Sequence, residues 1–437
     1  MSGPKVVRIV TREEILDICN GMLARVDAAL AEWRRIGERN ECIDDDAVAA
    51  AVGRRNGLAA LIARDRFMDL QKQAPIEEGF LRDDIQSRLA KVAAEQAAAR
   101  TRGRREREAA SSLLRTLRTG GDVVDADLLE RLERGEPDAI AQGFGILSGR
   151  ATAPTASRDL AGRLRDDRAP ASFAAWLAAR PAATDPAIDR IELRLAELAP
   201  LADDRTLAGW RSRLDEAADA QEMRRGLLLD GLEVATGRAL TDARARAAAL
   251  TEYRLVLSEL DATGIDTTAL RTRIDALDAT AIADRITEAG AALRAERDAR
   301  AAATRRAAVL EGLSGLGYEV NEGMRTTFAA EGRLVLRSAT RSDYGVEINA
   351  AGERMQMRPV AFEAGGHGPS ASRDRDAETI WCGDVSALQA KLGDDGGGLV
   401  IERSLPIGAT PLKRIRVEED RNAAAEYIPR PQERTLR

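Results

Sequence analysis

Gly332-Arg-Leu-Val-Leu-Arg-Ser-Ala-Thr-Arg-Ser-Asp-Tyr-Gly-Val-Glu-Ile-Asn-Ala-Ala-Gly-Glu-Arg-Met-Gln-Met-Arg-Pro-Val-Ala-Phe362 is the stretch where the hydrophobic period of the chain changes. Apolar side chains recur at every second residue: Leu334 and Leu336, then Tyr344, Val346 and Ile348, then Met355 and Met357, then Val360 and Phe362. Turn-forming residues interrupt them at Arg341-Ser-Asp343 and Ala351-Gly352. A period of two broken by such turns predicts an antiparallel meander with one face buried.

The reading extends outward from there. Tyr318–Val320 and Met324–Ala329 are expected to add strands upstream. Downstream, Ala364–Arg373 reads as a Gly-rich loop, and Trp381, Val385, Leu388 and Leu392 form a helical stripe at 4-3-4 spacing. Gly396-Gly-Gly398 leads into a last strand, Leu399–Arg403. Residues 316–413 are therefore expected to be a small α+β module, followed by a polar, flexible tail over 414–437.

Almost everything before this block has a helical period. Val6–Val10 suggests a short strand. Thr11 and Glu14 then form a Thr-x-x-Glu capping box for a helix whose stripe runs through Ile15, Cys19, Met22, Val26 and Trp33 to about Arg39. A second helix is expected from Asp44 to Gln73, stopping before Pro75, and a third from Glu77 to Arg118. Ala151–Ser157 reads as a linker, which places an N-terminal helical domain over 1–150 and a helical bundle or coiled-coil domain over 151–315. Asp185-Pro186 is an N-cap followed by proline at the first helical position. Ile188, Ile191, Leu195 and Leu198, and later Tyr253, Leu257 and Leu260, keep 3-4 spacing for only a few turns, which favours segmented hairpins over one continuous coiled coil. A final helix is expected over Thr268–Ser314. The fold class is thus mainly α: long helices in a bundle or segmented coiled-coil hairpins, then an α+β domain with an antiparallel meander.

The composition agrees. Aromatic residues are only 3% of the 437, so cores must be built from Leu, Ile, Val and Ala. Charged residues are 32%, and no apolar run approaches a membrane span. Only five of the 66 basic residues are lysine; with so much alanine, this fits a GC-rich bacterial genome. Three widely spaced cysteines fit a reducing cytoplasm, not a disulfide framework or a zinc site.

Each candidate for chemistry lacks a required part. Gly143-Phe-Gly145 through Gly149 has no lysine and the wrong spacing for a phosphate-binding loop. Trp381-Cys382-Gly383 has Val385 where a redox motif needs its second cysteine. His367 is the only histidine, which excludes multi-histidine metal sites. Asp343 and Glu347 resemble a strand-borne acid pair, but Asn349 stands where a nuclease needs lysine. No catalytic residue, cofactor or metal is expected. The strongest surface signal is a run with Arg100, Arg102, Arg104, Arg105 and Arg107, suited to nucleic acid or an acidic partner. Arg294, Arg297, Arg300, Arg305 and Arg306 form a second cluster, although the net charge of −6 argues against a general nucleic-acid coat.

The sequence points to a non-enzymatic cytoplasmic scaffold or adaptor. Its helices would self-associate or act as spacers, and its α+β module would dock a protein partner, with no membrane involved. One alternative is a nucleic-acid-associated accessory subunit of a multi-protein ATPase or bacterial defence machine, using the Arg100–Arg118 helix. Another is an enzyme with a site around Asp343, Glu347, His367 and Cys382.

Overall fold

The computed structural model describes residues 4–119, 124–150, 185–272, 274, 277–363 and 370–416. The linker read at 151–157, the lone His367 and most of the expected tail lie outside them. The chain begins with strand β1 (Lys5–Val10) and helices α1 (Arg12–Arg39), α2 (Asp45–Ala63), α3 (Phe67–Thr119), α4 (Ala126–Glu133) and α5 (Pro137–Arg150). Helices α6 (Pro186–Leu198), α7 (Asp204–Asp219), α8 (Glu222–Ala262), α9 (Thr268–Arg271), α10 (Ala279–Gly315) and α11 (Glu322–Glu331) follow. The chain then forms β2 (Arg333–Arg337), β3 (Tyr344–Ala351), β4 (Arg354–Glu363), α12 (Ala371–Asp394), β5 (Gly398–Ser404) and β6 (Lys413–Arg416).

The alternation over 332–362 builds the antiparallel meander β2-β3-β4, with Leu336 opposite Val346 and Ile348 opposite Met357. The sheet continues beyond it in the order β2-β3-β4-β1-β5. The strand at the start of the chain is thus an interior strand of the α+β module: β1 runs antiparallel to both β4 and β5. β6 pairs in parallel with the end of β4, where only a polar tail was expected from Arg414 onward. One face of the sheet is apolar. Val7, Ile9, Leu334, Leu336, Val346, Ile348, Met355 and Met357 meet Val309 and Leu313 of α10, Phe328 of α11, and Trp381, Val385 and Leu388 of α12.

Four local expectations need correction. Met324–Ala329 is helix, not strand: Asn321 accepts a hydrogen bond from Met324 N, the fully buried Phe328 sits one turn beyond Met324, and Gly332 ends the helix at φ 67°. Pro75 does not separate two helices but lies inside α3. The break comes earlier, at Asp65 with φ 53°, because Phe67, Leu70 and Ala74 already pack with Cys19, Val26 and Leu58. That burial outweighs the hydrogen bond lost at proline. Thr268–Ser314 is not one helix but α9 and α10, the second capped by Asp278. At the first helix, Thr11 caps Glu14 N, but the Glu14 carboxylate pairs with Arg305 in place of closing the capping box.

The helical body is long. At about 1.5 Å per residue, the 53 residues of α3 span roughly 80 Å. α3 packs on α1 and α2 through Leu81 and Ile85, meets Ala196 of α6 through Ala93 and Ala97, and ends against α4 and α5 through Leu113 and Leu117. α8 packs on α6 and α7 at one end and on α1 at the other, where Leu255 joins Trp33. Asp185 caps α6, accepting from Ala187 N at 3.1 Å.

Candidate functional site

The basic run on α3 has two faces. Thr101 and Arg104 follow Ala93 and Ala97 around the helix toward α6. Thr101 donates to Asp189 at 3.1 Å, and Arg104 donates to the buried Glu192 at 2.6 Å. Arg107 turns back on its own helix and bonds Gly103 O. Arg100, Arg102 and Arg105 have no ion pair or side-chain hydrogen bond among the described residues, and Arg100 lies near enough to Arg211 of α7 to disfavour its charge. Burial is the larger influence that lowers the Arg211 pKa; Arg100 adds to it.

Three arginines of the second cluster, Arg297, Arg300 and Arg305, bridge helices. Arg305 makes a two-pronged contact with Glu14 of α1, with both side chains largely buried. Arg297 reaches Glu259 of α8 at 2.8 Å, and Arg300 reaches Asp17 at 3.6 Å and the Thr263 carbonyl. Further along α1, Arg25 binds Glu78 of α3 at 3.0 Å and Glu252 of α8 at 3.0 Å. Burial disfavours the Arg25 guanidinium, but these carboxylates together raise its pKa. Gly21 lies between these pairs, where any β-carbon would strike the Arg297 guanidinium. Positions 14, 17, 21 and 25 share one helical face, so this face of α1 is electrostatic where its other face is apolar.

In the module, the acid pair does not come together as chemistry requires. Asp343 is exposed in the β2–β3 turn. Glu347 is buried, with its side chain only 4% exposed, on the sheet face away from the core. Its partners are set by register. Arg358 is directly opposite on β4, Arg333 lies two residues from the facing Val335, and Lys413 is opposite Val360, two residues past Arg358. Arg333 donates at 2.5 Å and Lys413 at 2.8 Å, and Arg358 completes the triad. Burial pushes the carboxyl pKa up, but hydrogen bonds from Arg358, Lys413 and Arg333 win and hold it at about 2. A carboxylate so fully engaged is a structural hub, unsuited to proton transfer.

Asp343 instead borders a cleft of about 400 Å³ with Arg341, Tyr344, Arg373, Asp376 and Ile380. Next to it, Tyr344 donates to Asp374 at 3.0 Å, and burial followed by that bond pushes the phenol up to about 12. Trp381 is core packing, edge-on to Tyr318. Cys382 is half-buried, and Lys5 of β1 donates to its sulfur at 3.5 Å. Lys5 had no signal in the sequence beyond alternation: it shares a strand face with Val7 and Ile9. Among the described residues, no group of three or more His, Cys, Asp or Glu side chains is placed to hold a metal, and no helix is long and apolar enough to cross a membrane. Comparisons with known protein families, curated proteins and solved structures find no match for the chain.

Proposed function

We propose that the protein is a non-enzymatic scaffold or adaptor of a bacterial cytoplasm, in which the helical body spaces and self-associates and the α+β module docks a protein partner. The observation that carries this reading is the joint between the two parts. Thr11 alone separates β1 from α1, and α10 packs on the sheet immediately before the chain enters the module. A recognition unit fused this directly to helices of this length holds a fixed direction relative to the far end of α3. β5 offers a docking edge: among the described residues it pairs only with β1, and Val400 is 63% exposed on it. Edges of this kind accept an added strand from a partner. The test uses the full chain as bait, with Val400→Lys/Arg403→Glu on β5 and Arg100→Glu/Arg102→Glu on α3. Capture of a defined partner that is lost only with the β5 variant supports the reading. Capture that is unaffected by it overturns the module's role.

A second reading is contact with nucleic acid through α3, favoured by Arg100, Arg102 and Arg105 having no ion pair among the described residues while Arg104 is engaged. Titration of single-stranded and duplex nucleic acid at low salt tests it. Equal binding by the wild type and the Arg100→Glu/Arg102→Glu variant removes it.

A further inference from the structure

Lysine is almost never fully buried without a counter-charge, because removing an ammonium from water is costly. Lys5 is an exception. It is 2% exposed, it lies in the middle of the sheet, and its one hydrogen-bond partner among the described residues is Cys382 Sγ at 3.5 Å. The two groups come from opposite ends of the fold's connectivity, β1 and α12, and are held from both sides. The backbone of Lys5 is in register with Met357 and Ser404. Cys382 follows Trp381, which is locked in the core, and its carbonyl accepts from Ser386. Cys382 is half-buried, so a small oxidant can reach it, whereas Cys19 is sealed in the α1–α3 core.

We propose that Lys5 and Cys382 form a peroxide-responsive covalent cross-link, a sulfenamide bond between Nζ and Sγ. Hydrogen peroxide supplies the oxidising equivalents. The Cys382 sulfur attacks one peroxide oxygen, the O–O bond breaks, and sulfenic acid and water form. The Lys5 nitrogen then attacks the sulfur, the S–O bond breaks, and the oxygen leaves as a second water with the proton lost from nitrogen. The net change is the loss of two hydrogen atoms from the protein. Two molecules of a thiol reductant reverse it, returning thiol and amine and forming one disulfide. The bond would pin β1 to α12, closing the sheet against loss of its interior strand.

The experiment treats the full chain carrying Cys19→Ala and Cys42→Ser with hydrogen peroxide, so that no disulfide can mimic the mass change. Peptide mapping by mass spectrometry then follows both residues. The expected result is a single bridged peptide containing Lys5 and Cys382, lighter by two hydrogens and restored by dithiothreitol. Hydrogen exchange across residues 5–10 should slow at least tenfold in the bridged form. In Lys5→Met, which keeps an apolar side chain of similar length in the sheet, Cys382 should stop at a dimedone-reactive sulfenic acid. The proposal is overturned if wild-type Lys5 stays linear while Cys382 gains two oxygens, if Cys382 resists peroxide, or if the sulfur bridges to another residue. The wild-type map decides the matter even if Lys5→Met does not fold.

Discussion

In the α+β module, one face of the sheet and three helices close on one large apolar cluster from Val7 to Leu399, with a small satellite of Ala361, Ala377 and Leu412. The helical body instead divides its buried residues among several small clusters, and alanines and arginine–carboxylate pairs fill the spaces between them. The Arg/Ala-rich composition explains the contrast. A helix with few large apolar residues cannot bury a wide face, so its neighbours must be aligned by charge. Buried pairs of this kind fix register more than they stabilise, because desolvation opposes the attraction. The module should therefore be sensitive to lost volume, and the body to a lost partner.

The largest expected effect tests the module. Trp381→Ala should cost about 3–5 kcal/mol and raise hydrogen exchange across β1–β5 in preference to α6–α8. A uniform rise would mean that the two regions do not differ in what holds them. Arg305→Met should cost about 3 kcal/mol in urea denaturation by leaving Glu14 buried and unpaired. Glu14→Met/Arg305→Met together should recover most of that loss; failure to recover would show that the pair does more than align α1 with α10.

Glu347 carries the body's device into the module, and pH separates it from the apolar core. Its carboxyl is held at about 2 against an ordinary 4.5, so its contribution is present above pH 4.5 and is lost as pH falls toward 2. The contribution is on the order of 3 kcal/mol. Glu347→Gln should remove that part of the acid sensitivity, measured as the change in denaturation midpoint between pH 6 and pH 3. Asp185→Ala should cost about 1 kcal/mol by uncapping α6. Arg82→Ala, at a half-exposed pair with Glu78, should cost less than about 0.5 kcal/mol and thus sets the floor of the series.

What could be read from sequence follows from how local each signal is. The meander was legible because Leu334–Phe362 carries its alternation and its turns within one stretch. The strand nature of Val6–Val10 was also visible, but its place between β4 and β5 was not, because the partners lie some 350 and 390 positions away. The arginines over 100–107 were visible as a run but not as two faces. Ala93, Ala97 and Arg104 lie on the side of α3 that meets α6, and that periodicity would have separated Arg104 from Arg102 on the opposite side. The burial and pairing of Glu347 were not legible because its three cations come from β2, β4 and β6, brought together by a register that no linear spacing encodes. Pro75 misled because a strong local breaker was overridden by the core contacts of Phe67 and Leu70.

The interior position of β1 sets a constraint on how the chain is made. Its hydrogen-bonding neighbours are synthesised only after nearly all the helices between them. At a typical 5–20 residues per second, the ribosome delivers them roughly 20–80 s later. Throughout that interval, Val6, Val7, Ile9 and Val10 are an unmatched β-prone segment beside newly formed helices. In the cell, yield should then depend on what shields this segment during translation: a chaperone, or early docking of the Val7/Ile9 face on a temporary surface. A circular permutant opened between β1 and α1 would place the strand after β6 and shorten the wait to seconds.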